Sequence, residues 1–553
     1  MSRTVKPAVS DSTLETELAA YPKADAFELI GKYTAAANVT AVAASADDPL
    51  SFNLDIYAGG GNTYRSKPIY TLDKVVDQID SGRTLPTQNG VITYSFTDLS
   101  HLTGVYNNKN FGFTAPDGFS PFSSAQRAEA RQSIQLWDDL VAPSFVEKKG
   151  IGADIQFANS FDPAQAYAYY PGNGQKYQSD VFIADPTINY TNNWLSLGGY
   201  GATTLVHELG HTIGLSHPGN YNYDPNLALN YVNYAEYAQD STQYSIMSYW
   251  RAGETGASWV NWGQFLNNYE QTPMIHDILT AQTKYGADLT TRTGDTVYGF
   301  NSTAGRDVFD FTQNKWPAIS IFDAGGNDTI DLSGFTASVF LDLHDGKFSS
   351  AGAAVPTLSE VNANRAALSS ELGVNFGPVL ASTLASVSAS RLTLAANKIA
   401  AETGVTGVFA TEFDNISIAY GTIIENGIGG SARDVLYGNA VNNVLKGLGG
   451  DDVIDGFEGA DSLWGGAGND TFSFRFIEQG DVIEDFQSGA DKIDLRATQI
   501  DFTWIGDSAF SGHAGELRFS GDLLQGDTNG DGLADLSIAV MGSDPLVTDI
   551  LFI

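Results

Sequence analysis

The strongest constraint on the fold is a repeat with a period of nine residues that occupies residues 429–473. Its five units read GGSARDVLY, GNAVNNVLK, GLGGDDVID, GFEGADSLW and GGAGNDTFS. Glycine opens each unit, Asp or Asn holds the sixth position, and an apolar residue holds the eighth: Leu436, Leu445, Ile454, Leu463 and Phe472. This nonapeptide pattern predicts a narrow parallel β-roll whose eighth residues point inward. The alternative, a glycine-rich loop, does not require five units in register.

The polar positions of these units are candidate calcium ligands. Calcium takes oxygen ligands from carboxylates and main-chain carbonyls. The candidate ligands are Gly430, Asp434, Asn443, Gly450, Asp452, Gly459, Asp461, Gly468 and Asp470. In the first two units Ala432 and Val441 stand where later units have glycine, and Asn443 replaces aspartate. We therefore expect weaker calcium binding at these two units.

Composition narrows the classes of partner and of metal site. The 553 residues include 29 Lys+Arg and 65 Asp+Glu, a net charge of −36. This charge argues against nucleic acid and anionic membrane surfaces as partners, but it suits a chain that binds hard cations. Cysteine is absent, which excludes disulfides and thiolate ligands, so a transition-metal site must use His, Asp, Glu or Tyr. No window approaches the length of a transmembrane helix, so no membrane insertion is expected.

Changes in amino-acid composition divide the chain into three parts. Residues 1–62 are interpreted as a leader or propeptide, 63–288 as a globular α/β domain and 289–553 as the β-roll domain. Residues 353–408 interrupt the β-rich part and predict a small helical insertion, with a capping box at Thr357 and Glu360 and a terminating Gly373.

In the α/β part, helical spacing and end signals predict helices over residues 123–141 and 273–286 and in the segment TTLVHELGHTIG. ADIQFANS and SDVFIAD are predicted to be short strands.

Three of the chain's seven histidines lie in the stretch VHELGHTIGLSHPGNYN. His207 and His211 are four residues apart, which places both imidazoles on one face of a helix. Gly214 can adopt a left-handed conformation that ends the helix, and His217 then returns to the same ion. Three neutral nitrogens with an open position predict a catalytic zinc site, with Glu208 able to reach a metal-bound water.

HELGHTIGLSH resembles the metzincin pattern H-E-x-x-H-x-x-G-x-x-H. The extension SHPGNYN and the downstream SIMSYW are similar to the serralysin family, secreted bacterial zinc endopeptidases with a calcium-binding β-roll. The resemblance implies that Met247 lies beneath the zinc ligands and that Tyr249 is a displaceable zinc ligand that also stabilises the oxyanion. Without the histidine motif, ordinary core packing would explain Met247 and Tyr249.

The resemblance implies peptide-bond hydrolysis with Glu208 as the general base. AQAYAYYP resembles the edge strand above the family's cleft, where Ala166, Tyr167, Ala168 and Tyr169 would bind an extended substrate. An ordinary hairpin strand is an equally good interpretation of this segment.

Further segments resemble calcium sites of the same family. The carbonyls of Arg292 and Gly294, with Thr296, would face Asp323, Gly325 and Asp328. Glu425 would be another ligand, although Ile423 stands where many relatives have Thr. DTNGDGLAD, residues 527–535, resembles the start of an EF-hand loop but has Ile538 at the twelfth position; a hairpin turn on NGDG explains it as well.

The N-terminal and C-terminal segments contain information about secretion. The N-terminus lacks an apolar signal-peptide core. The terminal DILFI resembles the uncleaved signal of one-step export through both Gram-negative membranes, and a final buried strand is compatible with the same residues. Export by this type I secretion machinery would let the calcium repeats fold outside the cell, where binding energy becomes folding energy.

The sequence thus favours a secreted, monomeric zinc metalloendopeptidase of broad specificity: an α/β metzincin-type domain followed by an all-β parallel roll, with Zn²⁺ and several Ca²⁺ as cofactors. Protein and peptide substrates and a proteinaceous inhibitor are the other expected partners. A calcium-dependent adhesin or surface-layer protein is the competing class, but a binding module has no need of Glu208. A zinc hydrolase acting on other bonds is the third interpretation.

Overall fold

The structure is a computed structural model that describes residues 53–58, 61–96, 119–149, 152–161, 165–172, 179–222, 228–477 and 479–553. The predicted leader therefore lies almost entirely outside the described residues. The helices are α1 (Leu72–Ile79), α2 (Ser124–Asp138), α3 (Tyr200–Thr212), α4 (Tyr231–Tyr234), α5 (Ile275–Tyr285), α6 (Leu358–Leu372) and α7 (Ala381–Thr403).

The N-terminal part is an α/β layer structure. Its strands are β1 (Thr63–Tyr64), β2 (Lys67–Pro68), β3 (Val91–Ser95), β4 (Phe119–Ser120), β5 (Ser144–Glu147), β6 (Ile155–Ser160), β7 (Ala166–Ala168), β8 (Val181–Ala184), β9 (Val260–Asn261) and β10 (Leu266–Asn267). One sheet has the order β5-β3-β6-β8-β7, with β4 paired to β6. The predicted strands at 153–160 and 179–185 are thus confirmed as β6 and β8.

Helices α2 and α3 pack together over this sheet. Helix α2 begins with a capping box of Ser123 and Gln126, and a serine at the N-cap is what the sequence predicts. The fully buried Trp137 of α2 donates from its indole N–H to the carbonyl of Val206 on α3 at 3.0 Å. Leu209 of α3 and Phe157 of β6 belong to the same apolar core. This packing fixes α3, the helix that carries two of the histidines.

The C-terminal part is a parallel roll. Its strands are β11 (Val297–Gly299), β12 (Ile319–Ile321), β13 (Thr329–Asp331), β14 (Phe340–Asp342), β15 (Phe348–Ser349), β16 (Ile416–Ile418), β17 (Asn426–Ile428), β18 (Val435–Tyr437), β19 (Val444–Gly449), β20 (Val453–Asp455), β21 (Ser462–Ala467), β22 (Thr471–Ser473), β23 (Gln479–Phe486), β24 (Lys492–Asp494), β25 (Thr503–Trp504), β26 (Glu516–Ser520), β27 (Leu523–Asp527), β28 (Leu536–Gly542) and β29 (Ile550–Leu551).

Successive repeat units alternate between two sheets. One sheet has the order β11-β13-β17-β19-β21-β23-β28-β27-β26-β25, and the other β14-β18-β20-β22-β24-β29. Leu445 pairs in parallel with Leu463, and Leu436 with Ile454, so that two units make one turn of the roll. All five eighth-position residues are 0 % exposed. The predicted β-roll with inward eighth positions is therefore confirmed.

The end of the chain forms regular structure in the roll. Strands β27 and β28 are antiparallel, which makes residues 528–535 a hairpin connection. Both carboxylate oxygens of Asp527 accept main-chain N–H groups within this turn, from Gly530 and Gly532. Strand β29 pairs with β24 and contains the buried Ile550, so the final-strand interpretation of DILFI is confirmed. Its role as an export signal remains a prediction.

The predicted helical insertion consists of α6 and α7. Helix α6 begins with the predicted capping box of Thr357 and Glu360, and it ends at the predicted Gly373, which is left-handed. The fully buried Arg365 of α6 donates to the carbonyls of Gln264 and Phe265, which lie next to β10. The insertion is therefore docked onto the α/β part, although it interrupts the roll in sequence.

Part of the segment assigned to the leader belongs to the folded body. Leu54 is 0 % exposed, and its N–H donates to the hydroxyl of Tyr244. The carboxylate of Asp55 accepts from His276 in the α/β part and from Tyr420 in the roll. A leader boundary at residue 62, drawn from composition, therefore includes residues that join the two parts.

Among the described helices, none has both the length and the apolar character needed to cross a membrane.

Replacing Leu463 by Ala is expected to lower the free energy of unfolding of the roll by about 2–5 kcal/mol, because a fully buried leucine leaves a cavity. Leu448→Ala is the matched control, since Leu448 is 41 % exposed. Urea unfolding at saturating calcium, followed by circular dichroism, measures both. Equal losses for the two variants would contradict the inward packing of the eighth position.

Candidate metal centre

Helix α3 and the turn after it bring three histidines together. His207, His211 and His217 are each no more than 3 % exposed, and one nitrogen of each lies within 4.8 Å of those of the others. Gly214 has φ +90°, and a Cβ there would lie 2.0 Å from the carbonyl oxygen of Arg83. Both the conformation and the close approach require glycine, and the resulting turn returns the chain to place His217.

Main-chain carbonyls orient all three rings. The Nδ1–H of His207 donates to Ile246 at 2.7 Å, that of His211 to Leu215 at 2.7 Å, and that of His217 to Tyr221 at 3.0 Å. A proton held at Nδ1 leaves Nε2 as the acceptor nitrogen of each neutral ring.

Three such nitrogens form a donor set that suits zinc, which binds imidazole without thiolates. The residues present therefore fit the predicted ion.

Met247 lies directly beneath the histidine helix. It is 0 % exposed, and a Cβ on Gly210 would lie 2.5 Å from its sulfur atom. Gly210 sits between His207 and His211 on α3, so its missing side chain lets the methionine approach the helix at this level. Met247 thus lies beneath the predicted zinc ligands His207 and His211, as the family resemblance implies.

Tyr249 and Glu208 complete the group predicted to be catalytic. The ring of Tyr249 lies 4.5 Å from that of His217 and 6.4 Å from that of His207, measured between ring centroids. Glu208 is 0 % exposed and follows His207 on α3. The structure thus gathers the histidines and Tyr249 from α3, its following turn and the segment after Met247, with Glu208 beside the first ligand.

Two buried aspartates that sequence reasoning missed hold this arrangement. Asp277 accepts from the Ser245 hydroxyl and from the N–H of Ile246, whose carbonyl orients His207. Asp277 is the acidic residue in the first turn of α5, a signal that helix capping offered. Burial raises the pKa of Asp277 to about 6.

Asp240 ties the loop of His217 to the segment of Tyr249. Its carboxylate accepts from the hydroxyls of Tyr221 and Ser248 and from the indole N–H of Trp250. Tyr221 also stacks on His217, with 5.6 Å between centroids and 7° between ring planes. Burial raises the pKa of Asp240 to about 7. No local sequence pattern marks this residue.

The candidate substrate segment is an edge strand. Strand β7 pairs with β8 in antiparallel fashion and is the last strand in the order of its sheet among the described residues. The next residues lead to Tyr170, whose ring lies 5.2 Å from that of His211. The segment of Ala166, Tyr167, Ala168 and Tyr169 thus leads to the residue beside His211, and the hairpin and edge-strand interpretations both describe β7.

The sixth-position acids of the roll form ladders. The N–H of Asp434 donates to Oδ1 of Asp452 at 2.8 Å, and the N–H of Asp452 donates to Oδ1 of Asp470 at 2.9 Å. Asn443 donates in the same way to Asp461 at 2.8 Å. The hydrogen bonds fix Oδ1 and direct the second oxygen elsewhere.

The second oxygens lie in polar cradles. The Oδ2 atoms of Asp452 and Asp470 are buried without a hydrogen-bond partner among the described residues. A Cβ on Gly447 would lie 2.3 Å from Oδ2 of Asp452 and 2.6 Å from the carbonyl oxygen of Gly465. Burial and neighbouring carboxylates raise the pKa of Asp452 to about 7 and that of Asp470 to about 6. Such oxygen-lined spaces fit calcium.

First-position glycines such as Gly447 border these cradles, which the sequence analysis did not foresee. The predicted fourth-position glycines instead stack on one another: a Cβ on Gly468 would lie 1.7 Å from the carbonyl oxygen of Gly450. In the first unit, Gly430 donates its N–H to Asp434, so the structure brings this pair together.

The predicted segments of the first site also meet. Strands β11 and β13 are parallel, and the N–H of Thr296 donates to Oδ1 of Asp328. The carbonyl of Gly294 accepts from the hydroxyl of Thr296, while Glu425 accepts from the N–H of Asp328. Oδ2 of Asp328 is buried without a partner in the described part, and burial raises its pKa to about 7.

The side chains of Asp323 and Arg292 have different partners at this site. Asp323 accepts from the hydroxyl of Tyr298 and from the N–H of Gly325, so both predicted residues lie in one turn. The Arg292 side chain pairs with Asp139 in the α/β part. Its φ of +50° marks a turn whose carbonyl is the group predicted to bind.

Comparison with known proteins gives one family model and several relatives. The model described as Peptidase M10 serralysin C terminal matches residues 287–365 and 397–552. Metallopeptidase AprA of Pseudomonas marginalis is 35% identical over 518 residues, covering 90% of this chain and 94% of its own length. Serralysin G of Dickeya chrysanthemi is 35% identical over 525 residues, with coverage of 90% and 94%. Serralysin of Proteus mirabilis is 38% identical over 298 residues, with coverage of 50% and 56%.

Replacing Asp240 by Ala is expected to weaken zinc binding about 10–100-fold, because groups that position metal ligands contribute on this scale. A competitive chelator titration measures the affinity. Asp77→Ala is the control, since Asp77 is exposed on α1. Unchanged zinc affinity in Asp240→Ala would show that the carboxylate does not position the site.

Proposed function

The chain belongs to the serralysin family of metalloproteases, and from that premise we propose that it is a secreted zinc endopeptidase that cleaves extracellular proteins with broad specificity. The observation that carries the proposal is the cluster of three imidazole nitrogens within 4.8 Å, with Glu208 on the same helix and Tyr249 facing His217. A donor set with a neighbouring general base is the arrangement that a hydrolase needs, and an adhesin has no use for it.

His207, His211 and His217 would hold the zinc ion, and Tyr249 would be the displaceable fourth protein ligand. When bound, zinc supplies Lewis-acid polarisation of the scissile carbonyl and lowers the pKa of water. Glu208 accepts the proton of the attacking water and passes it to the leaving amine. The Tyr249 hydroxyl donates a hydrogen bond to the oxyanion that develops on the substrate.

Strand β7, the last strand of its sheet among the described residues, would bind an extended substrate along its outer edge. A peptide added to this edge would be held by main-chain hydrogen bonds, which do not depend on side-chain identity. Broad specificity follows from this mode of binding along most of the substrate. Tyr170, next to His211, marks the end of the strand that leads to the metal site.

The roll would bind calcium at its acid ladders and at the site of Thr296, Asp328 and Glu425. Among the described residues, Oδ2 of Asp328, Asp452 and Asp470 is buried without a hydrogen-bond partner, and a bound cation would relieve the cost of this burial. A chain with these repeats would stay unfolded in a low-calcium cytosol, pass through type I secretion machinery led by its C-terminal signal, and fold outside as a monomer. A proteinaceous inhibitor remains a proposed partner.

We place the end of the removable leader before Asn53. The side chain of Asn53 donates to the carbonyl of Gly346, and Asp55 accepts from His276 and Tyr420. Removing these residues would break contacts that join the α/β part to the roll, so we expect them to remain in the mature enzyme.

Replacing Glu208 by Gln is expected to reduce casein hydrolysis about 10²–10⁴-fold, because the variant lacks the general base. Zinc content should remain stoichiometric. Glu458→Gln, on the exposed surface of the roll, is the matched control. All three proteins are assayed with calcium and zinc after confirmed removal of the N-terminal segment. Full activity in Glu208→Gln, or no activity in the wild type, would refute the mechanism.

Removing calcium with a chelator is expected to unfold the roll, and Asp470→Ala should raise the calcium concentration at the refolding midpoint by at least about tenfold, since ligand charge sets affinity. Asp544→Ala is the control, because Asp544 is exposed in a loop. Calcium titration followed by circular dichroism measures both. Refolding of the roll that is independent of calcium would contradict the assignment.

A further inference from the structure

A cavity lies directly beside the candidate zinc ligands. Its volume is about 100 Å³, and both His207 and Tyr249 line it. Tyr200 and Thr203, on the preceding turns of α3, extend the histidine face of the helix into one wall. The chain that follows Met247 supplies the opposite wall, which includes Arg251 and Ser258. A side chain of a substrate bound next to the scissile bond has this space within reach.

The helical insertion closes the cavity. Val387 and Arg391, one turn apart on α7, are both among its lining residues. Val387 is 3 % exposed and packs in one apolar cluster with Val260 and Phe265. Arg391 donates to the hydroxyl of Ser258 at 2.9 Å. The insertion thus contributes side chains of its own to a space that opens at the metal site.

Polar bonds dock the insertion onto the chain that forms this wall. On α6, Arg365 donates to the carbonyls of Gln264 and Phe265. On α7, Lys398 donates to the carbonyl of Gly256. The first two bonds reach the segment between β9 and β10, and the third reaches the turn before β9. Together they hold α7 in place against the cavity.

The charged groups at the cavity are mostly cationic. Besides His207, the charged residues that line it in the described part of the chain are Arg251, Arg391 and Glu270. Glu270 is buried, which raises its pKa to about 8, although the charge of Arg251 opposes this rise. The buried Glu412 lies near Arg391, and burial raises the pKa of this carboxyl as well. Arg251 donates to Asn267, a neighbour along the same wall. Two guanidinium groups at one cavity stand out in a chain of net charge −36.

The family model leaves part of the insertion unmatched. The family model matches residues 287–365 and 397–552, and Val387 and Arg391 fall in the gap between the two matches. Their part in the cavity is therefore a feature that the family description does not include.

We propose that the helical insertion is a selectivity element, whose Arg391 acts with Arg251 to favour substrates that carry an aspartate or glutamate side chain in this cavity. Guanidinium groups bind carboxylates through charge-assisted hydrogen bonds, and a partly buried cavity limits their screening by water. Val387 and Arg391 line the cavity one turn apart, so that a carboxylate in the cavity would meet the guanidinium of Arg391. This inference rests on the proposed peptidase function and confines selectivity to one substrate position.

Fluorogenic peptides that differ only by Glu or Gln at each position near the scissile bond test the proposal. At one position the wild type, with calcium and zinc, should cleave the Glu peptide with a kcat/KM about tenfold higher than the Gln peptide, the scale of a hydrogen bond to a charged group. Arg391→Gln should reduce this ratio to about one, and Arg391→Glu should shift the preference to a Lys peptide.

Arg496→Gln is the matched control. Arg496 lies on the roll with a side chain 61 % exposed and should leave the Glu-to-Gln ratio unchanged. Arg251→Gln, outside the insertion, should also lower the Glu-to-Gln ratio. It tests the proposal independently if the Arg391 variants fail to fold. A wild type that cleaves without preferring Glu at any position overturns this inference alone, as does an unaltered ratio in Arg391→Gln. A wild type that cleaves no peptide overturns the proposed function as well.

Discussion

The orientation of the three clustered histidine rings depends on the hydrogen bonds that hold each imidazole Nδ1 against a main-chain carbonyl. The carbonyls belong to Leu215, Tyr221 and Ile246, which lie in three different segments of the chain. The rings therefore converge only if the turn after α3, the following loop and the segment of Met247 are all in place. Buried Asp240 and Asp277 hold those segments, so a large part of the α/β core serves to orient three rings.

The roll uses carboxylates in a comparable way. One oxygen of each sixth-position acid is committed to a main-chain N–H on the neighbouring turn, and this bond sets the stacking of the units. In Asp452 and Asp470 the other oxygen is buried without a hydrogen-bond partner among the described residues, where its charge is costly without a cation. With calcium bound there, as we propose, folding of the roll would be linked to calcium.

The insertion connects the two parts of the molecule in space. It interrupts the sequence of the roll, yet Arg365 and Lys398 fasten it to the α/β part. The N-terminal residues near Asp55 form a second bridge, since their partners lie in both parts. Docking of the insertion therefore contributes side chains to the cavity beside the histidine cluster.

The sequence by itself determined the features that arise from short spacings or from repetition. His207 and His211 share a helical face, Gly214 ends the helix, Thr357 caps α6, and Leu463 points inward, because each depends on residues a few positions away or on a period of nine. Only the tertiary structure decided the roles of Asp240, Asp55 and Arg391. Their partners lie on other elements, and contacts between distant segments leave no periodic trace in the sequence.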